Sequence, residues 1–253
     1  MKAKTLKILV TGVSSGIGRA LTKELVTRNH NVWGVARRKD LLRSLAKELG
    51  GDPNLTTSSL DISNERGWRE LVKQLTKEDF IPDVIIFNAG IWEKDLQRDF
   101  PIKSTAAMMD TNFYGALRGV YLLLPFVKTG TQFIAISSLS AFHGSGKEGV
   151  GYAASKAALS VAFESLYYRY KTRFLFKTIF LGPIDVGRIP LFSTSKQQAV
   201  DGIMRAIDSN KILFYQPGLI FFLFRFAKLL PFDVYSALFL KLEDVKETYR
   251  RSL

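Results

Sequence analysis

The chain has 253 residues, 47% of them hydrophobic and 23% charged, which suits one large α/β domain with a small appendage and is too short for two average domains. It has no cysteine, so disulfides and thiolate metal sites are excluded; its two histidines, His30 and His143, sit far apart, and no metal is expected. The balance of 36 Lys and Arg against 23 Asp and Glu, formally +13, points to anionic partners: nucleotide phosphates, acyl-carrier or CoA groups, membrane lipid or nucleic acid.

Short apolar runs alternate with helical patterns from the first residues to about residue 185. Leu6–Val10 reads as a buried strand, followed by a glycine turn and a helix through about Arg28. Asn31–Ala36 (NVWGVA) is the next strand. Asp40–Leu49 has helical spacing, with Leu41, Leu42, Leu45 and Leu49 on one face. Leu55–Asp61 is predicted as a strand and Glu65–Leu75 as a helix. Asp83–Asn88 (DVIIFN) is nearly continuous apolar, as a strand covered on both faces would be. Thr105–Phe126 reads as one long helical stretch, Gln132–Ser137 as a strand, Tyr152–Thr172 as a helix without Gly or Pro, and Phe176–Phe180 as a strand. The alternation predicts an α/β fold, a doubly wound parallel sheet with helices on both faces.

Met1–Lys7 is basic and Ile8–Val10 apolar, but the run stops at Thr11-Gly12, short of a secretory leader. No uncharged apolar run reaches transmembrane length. The longest, Ile212 to Phe224, has 13 residues and holds Pro217 and Gly218. The expected location is the cytoplasm, with peripheral membrane contact left open.

Thr11-Gly12-Val13-Ser14-Ser15-Gly16-Ile17-Gly18 follows the first strand and opens a helix. A phosphate-binding turn needs this setting. Glycines permit the tight turn and close backbone approach, and the helix N-terminus supplies a favourable dipole. Gly12, Ser14, Ser15, Gly16, Ile17 and Gly18 are therefore candidate cofactor contacts, although the spacing is G-x-x-x-G-x-G rather than the common G-x-G-x-x-G. The second strand ends in Ala36-Arg37-Arg38-Lys39. An acid here would accept from a ribose 2′-OH; arginine instead matches a 2′-phosphate. Arg37 and Arg38 thus favour NADP(H), with NAD(H) as the alternative. Asp61 ends the third strand, where it caps either an adenine edge or the following turn. Asn88-Ala89-Gly90 ends the fourth, and its small residues would let a cofactor cross the sheet's carboxyl edge.

Tyr152 and Lys156 are four apart in a predicted helix and face the same way. A free phenol has a pKa of about 10. A nearby ammonium and a positively charged nicotinamide favour phenolate, so the phenol can exchange a proton with an alcohol or forming alkoxide. Ser138 ends the fifth strand on the same sheet edge, where its hydroxyl can meet a substrate oxygen as charge develops. Asn112 sits inside the preceding helix, where Asn is a mediocre former. It can hold a water that relays protons to Lys156.

T-G-x-x-x-G-I-G at 11–18, N-A-G at 88–90, Asn112, Ser138 and Tyr152-x-x-x-Lys156 stand in one order at workable spacings. Over roughly residues 5–190 the chain strongly resembles the short-chain dehydrogenase/reductase family. The resemblance implies a Rossmann-like sheet, an NAD(P) cofactor and hydride transfer to or from a carbonyl carbon. It makes Tyr152 the general acid/base, and Lys156 the group that lowers its pKa and binds the nicotinamide ribose. Ser138 positions the substrate oxygen and Asn112 supports the proton relay. Arg37 looks like the 2′-phosphate reader, with Arg38 assisting.

Two departures stand out. The family often has Pro-Gly after the sixth strand and a Thr a few residues on that holds the nicotinamide amide. This chain reads Leu181-Gly182-Pro183-Ile184-Asp185-Val186. Val186 cannot donate that bond, which leaves backbone contacts around Gly182, Pro183 and Ile184. The stretch between Ser138 and Tyr152 is slightly long, making Ser140 a rival serine and His143 either a substrate contact or an ordinary loop residue.

Lys211–Leu242 holds nine of the chain's 31 Phe, Tyr and Trp, with only Lys211, Arg225, Lys228, Asp233 and Lys241 charged. Within it, Leu219–Leu230 reads LIFFLFRFAKLL. Three readings stay open: a core or dimer-interface helix pair, an element lying in a bilayer interface, and the lid of a hydrophobic pocket. Such a segment resembles family members that act on lipids, such as ketosphinganine reductases and steroid dehydrogenases.

The expectation is a catalytic domain over 1–210 with a hydrophobic helical appendage of the same domain at 211–253. Its function would be NADP(H)-dependent reduction of a lipophilic carbonyl, or oxidation of the alcohol. The alternative is a non-catalytic cofactor sensor or scaffold at a membrane. A homodimer through the helices at 105–126 and 152–172 is expected from the family, membrane contact through 211–242 from composition, and no nucleic acid, since the basic residues are dispersed.

Overall fold

The computed structural model describes residues 4–93, 102–144, 149–184 and 194–237. Its strands are β1 (Lys7–Thr11), β2 (Asn31–Ala36), β3 (Leu55–Ser59), β4 (Val84–Phe87), β5 (Gln132–Ser138), β6 (Leu175–Leu181) and β7 (Leu213–Gln216). They form one sheet in the order β3-β2-β1-β4-β5-β6-β7, every neighbouring pair parallel. Between them run α1 (Gly16–Thr27), α2 (Lys39–Glu48), α3 (Glu65–Lys77), α4 (Ile102–Met109), α5 (Gly115–Leu123), α6 (Val150–Tyr170) and α7 (Lys196–Ile207), and α8 (Gly218–Ala227) follows β7. The predicted doubly wound, Rossmann-like architecture is the one observed.

Alternation along the strands splits the core into two layers. Ile8, Val10 and Ile86 point to one face, against Leu21, Leu25 and Ile203 of α1 and α7. Leu9, Ile85 and Phe87 point to the other, against Trp68, Leu71, Val120 and Phe163 of α3, α5 and α6. Period-two packing of this kind needs apolar residues on both faces, hence the continuous runs in sequence. The direction in which strands are added to the sheet reverses between β1 and β4, so the crevice at their carboxyl ends is the topological switch point.

Three sequence expectations change. Thr105–Phe126 is not one helix: α4 and α5 are joined by a π-helical turn at Asp110–Tyr114. Such a turn has no residue-type signature of its own and the chain is helical on both sides of it, so the stretch reads as one helix. Second, α7 and β7 had no predicted counterpart. Ser195 caps α7 with a reciprocal Ser195–Gln198 capping box, a signal present in the sequence. Third, Leu213–Gln216, just past the expected boundary at residue 210, pairs in register with Thr178–Leu181 and belongs to the sheet.

At the amino-end edge of the sheet, Lys177 of β6 is fully buried. Its ammonium donates to Gln132 Oε1 at 2.6 Å, to the Ala206 carbonyl at 2.7 Å and to the Ser209 carbonyl. It thereby satisfies the C-terminal carbonyls of α7 and pins that helix to the sheet. Burial lowers its pKa to about 8, opposed by nearby Asp208. Lys177→Met would leave these acceptors unpaired inside the protein, so we expect a loss of roughly 3 kcal/mol in urea unfolding at neutral pH. An unchanged midpoint would show that the ammonium adds nothing net.

Candidate active site

The glycine turn after β1 is held rigid by side chains from β4. Thr11 Oγ1 donates to the Ile86 carbonyl at 3.3 Å and accepts from the backbone N–H groups of Asn88 and Ala89, both at 3.1 Å. Asn88 Nδ2 donates to the carbonyls of Thr11 (3.0 Å) and Gly12 (3.3 Å). Gly12 has φ +78°, and a Cβ there would lie 2.7 Å from Ala89 Cα. Neither that dihedral nor that approach tolerates a side chain.

Helix α1 begins without the usual cap. Ser15 is its N-cap residue, yet its hydroxyl makes no capping bond and no acid lies in the first turn. Instead the Arg38 guanidinium donates to Ser14 Oγ at 2.9 Å and Ser15 Oγ at 2.8 Å. The first N–H groups of a helix have no intrahelical acceptor, so this end attracts an anion. A cleft of about 450 Å³ runs from here, lined by the turn, Arg37, Arg38, Asp61 and Asn88–Ile91. A glycine turn packed directly on Ala89, an uncapped helix end and two arginines together suit a phosphorylated dinucleotide. Asp61 accepts from the Ser63 N–H at 2.9 Å, so it closes a local turn as well as lining the cleft. Arg37 is held through its carbonyl, which accepts from Ser59 Oγ at 3.0 Å.

Beyond Gly90 the cleft meets the second group of predicted residues. A Cβ on Gly90 would lie 3.2 Å from Asn112 Oδ1 and 3.5 Å from Lys156 Nζ. Asn112 is buried in the π-helical turn. Its Oδ1 accepts from the Ile91 N–H at 2.7 Å, and its Nδ2 donates to the Ile91 carbonyl (2.9 Å) and Ser155 Oγ (3.0 Å). The side chain clamps the segment after β4 to α6. Ser155 was not singled out in the sequence. It passes the clamp on, donating to the Tyr152 carbonyl at 2.8 Å. A serine in a helix interior, between the Tyr and Lys, was the available signal. Thr11 was also missed, though a polar residue closing a buried strand was visible.

Lys156 is buried, and its Nζ donates to the Ile136 carbonyl at 2.8 Å and lies 5.8 Å from the Tyr152 ring centre. Burial lowers its pKa to about 8. Ser137 and Ser160 both donate to the Lys156 carbonyl, at 3.3 and 2.7 Å, fixing that turn of α6 against β5. Ser138 closes β5, half-buried. It accepts from the Ser140 N–H and donates to Ser140 Oγ, both at 3.2 Å. Ser140 itself is buried behind it.

Gly182, Pro183 and Ile184 follow β6, outside the residues that line the cleft. Gly182 N–H donates to the Gln216 carbonyl, and Ile184 bridges to Thr194. Asp185 and Val186 lie outside the described residues. Among the described residues no group of acids and histidines could hold a metal ion.

Residues 6–188 match the sequence model of the family described as short chain dehydrogenase. The chain belongs to this family. The NADPH-dependent pterin aldehyde reductase of Arabidopsis thaliana is 33% identical over 160 residues, 60% of this chain and 64% of the relative. The 11-beta-hydroxysteroid dehydrogenase 1A of the same plant is 33% identical over 163 residues, 63% of this chain and 46% of the relative. The chain thus spans about half to two thirds of these curated relatives. Among solved structures, a short chain dehydrogenase from Burkholderia cenocepacia J2315 in complex with NADP has a TM-score of 0.72 at 22% identity, over 85% of this chain and 89% of that one. The Pseudomonas aeruginosa RhlG/NADP active-site complex has a TM-score of 0.66 at 23% identity, over 72% and 74%. At such identities these two structures speak for the fold.

Proposed function

We propose that the protein is an NADP(H)-dependent oxidoreductase that reduces a carbonyl group of a lipophilic substrate. One observation carries this reading. A cleft of about 450 Å³ runs from the glycine turn to Gly90 and Ile91, and the buried Lys156 lies next to Gly90 with Tyr152 beside it. The name of the pterin aldehyde reductase and the NADP held by the Burkholderia neighbour support the cofactor choice.

In this reading the α1 N-terminus and Ser14–Gly18 hold the phosphates, with Arg38 and Arg37 at the 2′-phosphate. Asp61 meets the adenine, and Asn88–Gly90 form the floor. Lys156 holds the nicotinamide ribose, and Gly182–Ile184 contact the nicotinamide. When bound, the nicotinamide supplies the hydride. Tyr152 gives its proton to the carbonyl oxygen, Lys156 supports the phenolate left behind, and Ser138 donates to the same oxygen as charge builds. Asn112 positions α6 against the segment after β4.

The lipophilic substrate rests on the aromatic cluster next to Ser138. Leu139, Phe142, Phe180, Tyr215 and Phe221 pack there, with Phe180 and Tyr215 stacked at 5.3 Å. Peripheral membrane contact and a homodimer belong to the same reading. The latter is supported by exposed Tyr121 on α5 and Val161 and Tyr168 on α6.

NADPH oxidation against long-chain ketones, 3-ketoacyl compounds and ketosteroids in mild detergent tests the reading. Turnover that Tyr152→Phe abolishes supports it. Bound NADPH with turnover indifferent to Tyr152 would favour the cofactor sensor instead. Arg38→Ala is expected to weaken NADPH binding by roughly tenfold to a hundredfold while leaving NADH nearly unchanged, because charge-assisted bonds to a phosphate are at stake. Equal losses for both cofactors would mean that Arg38 only braces the serine turn.

A further inference from the structure

Helix α8 has two apolar sides. Phe221 is buried in the aromatic cluster, and Phe224 is half-buried, stacked on His143 with ring centres 5.4 Å apart. On the opposite side Leu219, Phe222, Leu223 and Phe226 are all at least half exposed. At about 100° per residue these four fall within roughly 100° of the helix circumference. Leu229, Leu230 and Phe232 extend the exposed apolar surface past the helix end. Arg225 and Lys228 are exposed as well, and no acid lies between residues 211 and 232.

We propose that this outer face of α8 docks on an anionic lipid bilayer, with the helix axis in the plane of the interface. The inference deepens the peripheral contact suggested above by fixing the face and the lipid charge. A helix of 10 residues is too short to span, and no described helix is long and apolar enough to cross a membrane. Rings and leucines along one arc, with the long Arg225 side chain about 60° beyond its edge and able to reach phosphate oxygens, are what an interfacial helix needs. Charge selects the occupant. A second copy stacked by this face would bring Arg225 near its own counterpart on a chain of formal charge +13, whereas anionic headgroups complement it.

Flotation of the full chain with phosphatidylcholine vesicles, with and without phosphatidylserine, tests this. The wild type should float with the anionic vesicles, less with the neutral ones, and less in high salt. Phe222→Glu with Phe226→Glu replaces two exposed rings and should lower partition roughly a hundredfold. NADPH binding, which uses none of these residues, should be retained and reports that the variant has folded. Failure of the wild type to float, or equal flotation of the double variant, would overturn the proposal. So would self-association in lipid-free light scattering that the double variant abolishes, which would assign the face to a second copy. Flotation is read without turnover, so an absence of reductase activity sinks the functional reading alone.

Discussion

Tyr152→Phe is expected to lower NADPH-dependent carbonyl turnover by roughly 10²–10⁴-fold, the range for loss of a positioned general acid. The substitution removes one hydroxyl and keeps the ring, so the contact with Lys156, 5.8 Å from its centre, survives. The backbone is held independently, since the Tyr152 carbonyl accepts from Ser155. NADPH affinity should therefore change little, because Arg38, Ser14 and the α1 N-terminus are untouched. A fluorescence titration of NADPH beside initial rates separates the two effects. Rates within a few-fold of wild type would remove Tyr152 from proton transfer. A parallel loss of NADPH binding would instead mean that the hydroxyl serves the cofactor.

Lys156→Met should likewise give an inactive protein, but one that is more stable without cofactor. The ammonium sits between β5 and α6, where it donates to the Ile136 carbonyl at 2.8 Å. Burial lowers its pKa from 10.5 to about 8. Below pH 8 the folded protein therefore carries a charge that the unfolded chain holds more cheaply. A displacement of that size corresponds to roughly 3 kcal/mol. The lost hydrogen bond offsets about 1 kcal/mol of this. The net gain at pH 7 is roughly 2 kcal/mol, a rise in Tm on the order of 5 °C. The sign with pH follows. Between pH 8 and 10.5 the unfolded chain binds the proton and the folded protein does not, so this group makes the wild type more stable as pH rises. The advantage of Lys156→Met should shrink over that window. Thermal melts of both proteins at pH 7 and pH 9.5 check it; a destabilised variant at pH 7 would show that the charge is better solvated than its burial implies. Lys177 has the same lowered pKa but three acceptors around its ammonium. The two lysines thus differ in how far hydrogen bonds offset the cost of burying the charge.

The sheet was legible because buried parallel strands write themselves as apolar runs. Asp83–Asn88 and Gln132–Ser137 announced β4 and β5 to within a residue or two. Leu213–Gln216 did not, since β7 is an edge strand with its side chains only partly covered, embedded among aromatics that read equally well as helix. Within the site, residues in a fixed local spacing could be found: the glycine turn, Asn88–Gly90, Tyr152 and Lys156. Residues whose partners are distant in sequence could not. Nothing in the sequence tells that Arg38 reaches Ser14 and Ser15, or that Ser155 receives Asn112 from 43 positions away. Helix α8 was ambiguous for a further reason. Its composition suited core, lid and membrane alike, and only the docking of Phe221 on Phe180 and Tyr215 separates its inner side from its outer one.

The π-helical turn at Asp110–Tyr114 also acts as a phase shifter. It takes up more residues per turn than the helices on either side. Winding it as a regular α-helix with no residue removed would rotate everything beyond by about 100°. Trp68 donates its indole N–H to the Gly115 carbonyl at 2.8 Å, and Gly119 lies against the same ring. Asn112 faces the other way along the chain, toward Ile91 and Ser155. A continuous helix would keep the tryptophan contacts in phase or the asparagine clamp, and lose the other. The irregular turn lets one stretch of chain answer to the core at its far end and to the candidate site at its near end.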